Sequence, residues 1–265
     1  MGSYAGRVDT ARRALALLGI VGAAACLALV GVLHVVPPSS LINPWRRTIS
    51  EYALHDQAWV FNLALAALAL GSLAILVALV VARIVPPGSA AALALAVWSA
   101  SLFAVIVFPK HNWSLGPSVS GHIHRGVSAV GFLALPLGAG LVAYAWRHGR
   151  WRRYAYGTLA LSVLSLLAFS PIAVAFLQQP LTGIRWWRVF PLGTVERVLA
   201  LCEVATVIAL GWWAARAHHG ESSQGRLRGT SSRRRQRHSS MAAEAASDPM
   251  ATTTSPATRS QNVGS

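Results

Sequence analysis

Three polar segments carry nearly all the versatile side chains of this chain. The first, "TISEYALHD", holds Glu51, His55 and Asp56, with Asn62 a few residues on. The second, "FPKHNWSLGPSVSGHIHRG", holds the single lysine, Lys110, with His111, His122, His124 and Arg125. The third, "GTVERVLALCE", holds Glu196, Arg197 and Glu203. His122 and His124 are one residue apart, so they could share a metal on an extended segment and would diverge on a helix. With Glu196 or Asp56 they would make a zinc site that activates water against an ester or amide. Without metal, the same histidines and Arg125 could bond a loop carbonyl or a lipid phosphate.

Local roles compete for several of these groups. Thr48-Ile-Ser-Glu51 has the form of a capping box, in which Thr48 and Glu51 each satisfy the other's backbone N–H. It predicts a short interfacial helix with Ile49 and Tyr52 toward lipid. Glu196 opens an apolar run, where a carboxylate suits the positive end of a helix dipole. Glu203 lies seven residues further along the same helical face, ~10 Å deeper at 1.5 Å per residue. An acid at that depth costs ~3 kcal/mol or more, so it should face the bundle interior with a partner such as an arginine or Asn62.

The elements that must position these groups are apolar and long. The 265 residues are 54% hydrophobic and only 12% charged, a balance that excludes an ordinary soluble domain. A hydrocarbon core of ~30 Å takes ~20 helical residues to cross, and six stretches qualify: Ala14–Val36, Trp59–Ala82, Ala90–Phe108, Val127–Trp146, Ala155–Leu177 and Glu196–Ala215. Backbone groups in lipid must be satisfied within each segment, so six helices follow. The expected fold class is therefore all-α, a six-transmembrane-helix bundle over 14–217, after a cytoplasmic N-terminus at 1–13. Pro37-Pro38, Pro86-Pro87, Pro109, Pro180 and Pro191 mark the ends. Pro136 and Pro171 fall inside spans, where Ser170 could satisfy a freed carbonyl.

The formal charge of +15 suggests nucleic acid until its distribution is read. Sixteen basic residues fall at the termini and on the second and fourth connections, and seven on the first, third and fifth or, as Arg197, at the adjoining end of the sixth span. The positive-inside rule then places both termini in the cytoplasm, with membrane lipid and not nucleic acid as the partner. Nine of ten tryptophans lie near predicted interfaces, as an aromatic belt would, and Trp98 alone sits deep. Arg12-Arg13 before an apolar run and Ala23-Ala24-Ala25 outline a cleavable signal, but the run continues to Val36, too long for one. Cys26 and Cys202 lie in different apolar runs and read as buried small hydrophobes. From 218 the chain is rich in Ser, Thr, Gly and Arg, and a disordered basic tail over 218–265 is expected, its Arg233-Arg234-Arg235-Gln236-Arg237 cluster able to lie on anionic lipid. One lysine beside 22 arginines, with abundant alanine, suggests a GC-rich bacterial genome and a bacterial plasma membrane.

The three polar segments resemble those of the domain of unknown function 998 family of bacterial and archaeal integral membrane proteins. Ile49-Ser50-Glu51-Tyr52 before Trp59-Val60-Phe61-Asn62 looks like its first motif. Phe108-Pro109 with Gly121-His122-Ile123-His124 and Phe132 looks like its second, and Gly193-Thr194-Val195-Glu196-Arg197-Val198 like its third. The resemblance covers about Ala14 to Ala215 and implies six helices and a shared polar cluster on the outer face, but no substrate. Relatives often carry an acid shortly after the Phe-Pro, where this chain has Lys110-His111. Three readings follow. Glu51, Asn62, His122, His124, Arg125, Glu196, Arg197 and Glu203 bind or transport a lipid headgroup or small polar solute. Alternatively, the chain is a structural or accessory subunit whose outer loops dock a membrane-protein partner; small-residue faces such as Gly131, Gly138 and Gly140 favour close helix packing, and serve an internal bundle equally well. The third is an intramembrane zinc hydrolase acting on lipid through His122, His124 and a carboxylate such as Glu196.

Overall fold

The structure, a computed structural model, describes residues 2–112 and 114–217. It contains α1 (Gly2–Val35), α2 (Ala58–Val81), α3 (Ala90–Val107), α4 (Val119–Ala145), α5 (Arg152–Thr182) and α6 (Leu192–Arg216). Each is long and apolar enough to cross a membrane. The protein is thus all-helical and polytopic, as composition and run length require. The expected tail over 218–265 lies outside the described residues.

Consecutive helices pack on one another, and α1 also packs on α6, so the six close into a ring. Within it α6 leans inward far enough to touch α2 and α4 as well. The α1–α2 seam is close because glycines meet: a Cβ at Gly71 would lie 2.9 Å from the carbonyl oxygen of Gly19. Without a hydrophobic drive between helices in lipid, such backbone proximity supplies the packing. Gly131 and Gly138 face α3, and Gly140 faces α5. These small residues therefore serve packing within the bundle.

Several helix ends differ from the sequence expectation for local reasons. The first helix begins a dozen residues early and carries Arg12, fully buried, to the C-terminal end of α6. There its guanidinium bonds the carbonyl of Ala214 and sits 3.3 Å from Asp9. A cation at a helix C-terminus satisfies an orphaned carbonyl and the dipole together. The fourth helix begins at Val119, not Val127, because Ser118 caps it by accepting from the N–H of Gly121 at 3.1 Å. The fifth runs through Pro180 to Thr182 and ends on Gly183 in the left-handed conformation. At Pro171 the missing N–H leaves the carbonyl of Leu167 free, and Ser170 donates to it at 2.7 Å, as anticipated.

Tryptophans anchor the interior as well as the rim. Trp98 donates to the hydroxyl of Ser72 at 3.1 Å, which satisfies an indole deep in the bundle. Trp213, expected in the aromatic belt, is fully buried and stacks on Tyr154 at 6.2 Å. Trp146 donates to the carbonyl of Ile84 at 2.9 Å and so holds the 82–89 and 146–151 connections at one end. The other three connections, 36–57, 108–118 and 183–191, gather at the opposite end, called here the polar end.

Candidate functional site

The polar end is knitted by contacts between residues far apart in sequence. The segment Ile49–Leu54 forms a 3-10 helix, but the expected capping box is absent: Thr48 makes no side-chain cap. Lys110 takes both members of the box instead, donating to Thr48 Oγ1 and to Glu51 Oε2 at 2.7 Å each. The other Glu51 oxygen lies 3.7 Å from Arg47. The N–H of Ile49, an orphan donor at the first position of this helix, donates to Glu196 Oε2 at 2.9 Å. A carboxylate thought to serve its own helix thus caps another. Tyr52 is 1% exposed and packs with Leu33, Val60 and Phe61, so this segment turns its ring into the bundle and not toward lipid.

Arg197 is the second clasp. Its Nε donates to His34 Nε2 at 2.8 Å, and Nη1 lies 2.8–2.9 Å from the carbonyls of Arg47, Pro44 and Gly193. His34 can accept because its other nitrogen, Nδ1, lies 2.7 Å from the carbonyl of Val30, which assigns the proton there. Gly193 makes the clasp possible: a Cβ at that position would collide with backbone atoms of Pro44 and Arg47.

In the 108–118 connection, His111 is packed flat over the first turn of α4, where a Cβ on Gly121 would strike its ring. Its Nδ1 accepts from the N–H of Ser118 at 3.0 Å. Burial holds this imidazole below the usual histidine range, and the nearby charges of Arg125, His122 and Lys110 push the same way. His124 is buried on the next turn, its Nδ1 2.8 Å from the carbonyl of Phe108. His122 is exposed and meets His111 edge to face, with ring centroids 4.8 Å apart. Because α4 starts early, the His122–His124 pair is helical and diverges. Among the described residues no three His, Cys, Asp or Glu side chains converge on a metal position.

Two cavities adjoin at this end. The outer one, about 690 Å³, brings together Glu51, His122, His124, Arg125 and Glu196 of the expected cluster. It adds Arg46, Arg47 and Lys110 at the mouth, and an apolar wall that includes Phe132, Phe169, Phe176 and Trp186. Four cations face two carboxylates. The inner cavity, about 330 Å³, is mostly apolar and holds His34, Arg197 and Glu203. His124 and Glu196 line both cavities. Asn62 lines neither, nor do His55 and Asp56, which are exposed. Glu203 is 1% exposed and neither of its oxygens finds the expected partner.

Sequence reasoning missed Lys110 and His34 as members of the cluster. The lysine had a signal, standing where an acid was expected and being the sole one in the chain. His34 had none beyond its place in the last turn of an apolar helix.

A family model described as "Protein of unknown function (DUF998)" matches residues 20–213. Neither a curated protein nor a solved structure matches the chain.

Proposed function

We propose that this chain, which belongs to the DUF998 family, is a multi-pass membrane protein that binds an anionic lipid in its outer cavity. The observation that carries this reading is the pairing of a cation-rich mouth with an aromatic wall in one space of about 690 Å³. Phosphate recognition favours guanidinium and ammonium donors, which Arg46, Arg47, Arg125 and Lys110 supply. Acyl chains need an apolar surface continuous with the bilayer. Phe176 and Leu177 provide it on α5, since both line the cavity and remain exposed on the helix surface. Transport of the same lipid is a finer version of this reading, supported by the prolines within α4 and α5. The hydrolase reading is not carried forward, because the two histidines diverge.

The polar end faces outward and both termini face the cytoplasm, on the distribution of arginine. A bacterial plasma membrane remains the proposed location. Leu115 is 87% exposed on the 108–118 connection. A Leu115→Cys variant should react with an impermeant maleimide added to intact cells, and protection there would reverse the topology. Binding is tested by native mass spectrometry of purified protein offered phosphatidylglycerol and phosphatidylcholine. Preferential retention of the anionic lipid, weakened about tenfold in Arg125→Gln, is the expected result. Equal retention of both lipids refutes the reading.

A further inference from the structure

The inner cavity has the opposite character to the outer one. Its walls are mostly hydrocarbon, with aromatic faces from Phe61, Trp98 and Phe132. Its charged groups are two carboxylates, Glu196 and Glu203, against the single guanidinium of Arg197. Three of these groups are not equally free. Glu196 holds the N–H of Ile49, and Arg197 spends Nε and Nη1 on His34 and on three carbonyls. Glu203 has no such engagement: both carboxyl oxygens are buried without a hydrogen-bond partner, and Arg197 Nη2 is the other charged atom of this lining left so. A buried carboxyl without a partner is a costly arrangement in a bilayer interior. The fold keeps it in contact with a cavity, not in packed core.

The cavity also reaches the lipid side. Leu27 and Gly31 of α1 and Leu201 of α6 line it and are themselves exposed on the helix surface, Leu201 at 57%. A Cβ built on Gly31 meets no atom within 4 Å. Packed together near Arg12 and Ala214, α1 and α6 thus leave a side opening at membrane depth beside Gly31 and Leu201. A molecule entering there must be soluble in hydrocarbon, and its polar end must satisfy an orphaned carboxyl.

We propose that the inner cavity is a second binding site, for a lipophilic monovalent ammonium: an alkylamine whose cation meets Glu203 while its hydrocarbon lies among the aromatic rings. With Glu196 and Arg197 as one opposite pair, the remaining carboxyl fits a single ammonium. Aromatic faces beside a carboxylate are the usual surroundings of a desolvated ammonium. This proposal does not rest on lipid binding in the outer cavity, which carries the opposite excess.

The test uses the full chain in phosphatidylcholine nanodiscs, with dodecylamine and its neutral counterpart dodecanol as probes and quenching of tryptophan fluorescence as the signal. Dodecylamine should bind saturably and at least about tenfold more tightly than dodecanol, since only the amine pairs with the carboxylate. Glu203→Gln should remove that preference, and Glu203→Asp should keep most of it. Gly31→Leu, which fills open space, should weaken amine binding while leaving the melting temperature unchanged. A melting temperature of Glu203→Gln at or above that of the parent serves as the control for folding. Equal affinity for the two probes overturns the proposal. So does a folded Glu203→Gln variant that still prefers the amine, or a Gly31→Leu variant that binds it as well as the parent.

Discussion

Replacing Arg197 by lysine keeps the charge and removes the fork, and the structure says what that should cost. The guanidinium reaches four acceptors through two nitrogens, but Nη1 has two hydrogens for three carbonyls, so about three full bonds are at stake. Two acceptors, Pro44 and Arg47, are exposed enough to turn to water. His34 Nε2 and the carbonyl of Gly193 are partly buried and are not so easily repaid. At ~1.5–3 kcal/mol for each bond from a charged donor, with one or two recovered by the ammonium or by water, Arg197→Lys should lose about 2–4 kcal/mol. The assay is reversible unfolding in mixed micelles with an increasing fraction of dodecyl sulfate. Limited trypsinolysis reports the same event locally, since Arg46 and Arg47 sit on the strap that the clasp holds down. A cycle with His34→Ala should give a coupling of about 1–2 kcal/mol, because the two side chains bond directly across 163 positions of sequence. A loss below about 0.5 kcal/mol with no faster cleavage would mean that the clasp contributes nothing, and the account of how α6 holds the loops would fall.

Three further predictions follow from the same end of the bundle. Gly193→Ala forces a methyl against the backbone of Pro44 and Arg47, so it should cost about 1–3 kcal/mol and expose the same tryptic sites. Lys110→Met leaves Glu51 at 15% exposure with only the looser Arg47 contact, and should destabilise by about 2–3 kcal/mol; adding Glu51→Gln should recover part of the loss in the same unfolding assay. His111 is held below the free imidazole range, so the unfolded chain binds a proton that the fold resists. Stability should therefore be complete above about pH 6.5 and fall as pH drops below it, a slope in melting temperature that His111→Asn should flatten.

The six spans were legible because crossing hydrocarbon demands length and apolarity, and both are local properties of a sequence. The start of α4 was not, since Gly121, His122, His124 and Arg125 dilute the apolar signal ahead of Val127 while Ser118 caps the helix from outside it. The cluster was readable as a set of polar segments converging on one end. Its wiring was not. Thr48-Ile-Ser-Glu51 satisfies every local condition for a capping box, yet Lys110 takes its carboxylate from 59 positions away and Glu196 caps the helix from 147. Local pattern reports what a residue can do for its neighbours in the chain. A short charge-assisted bond from a distant residue outweighs it whenever the fold brings one near.

The bond between Arg12 and the carbonyl of Ala214 brings an early turn of the first helix alongside the close of the last. A bundle whose first and last helices meet in this way can be re-threaded. Joining residue 216 to residue 7 by a short Gly-Ser bridge and opening the exposed bend at 148–150 would give a circular permutant with all six helix neighbours preserved. In such a permutant α5 and α6 would leave the ribosome ahead of α1 to α4, and the loops would still gather at the same polar end.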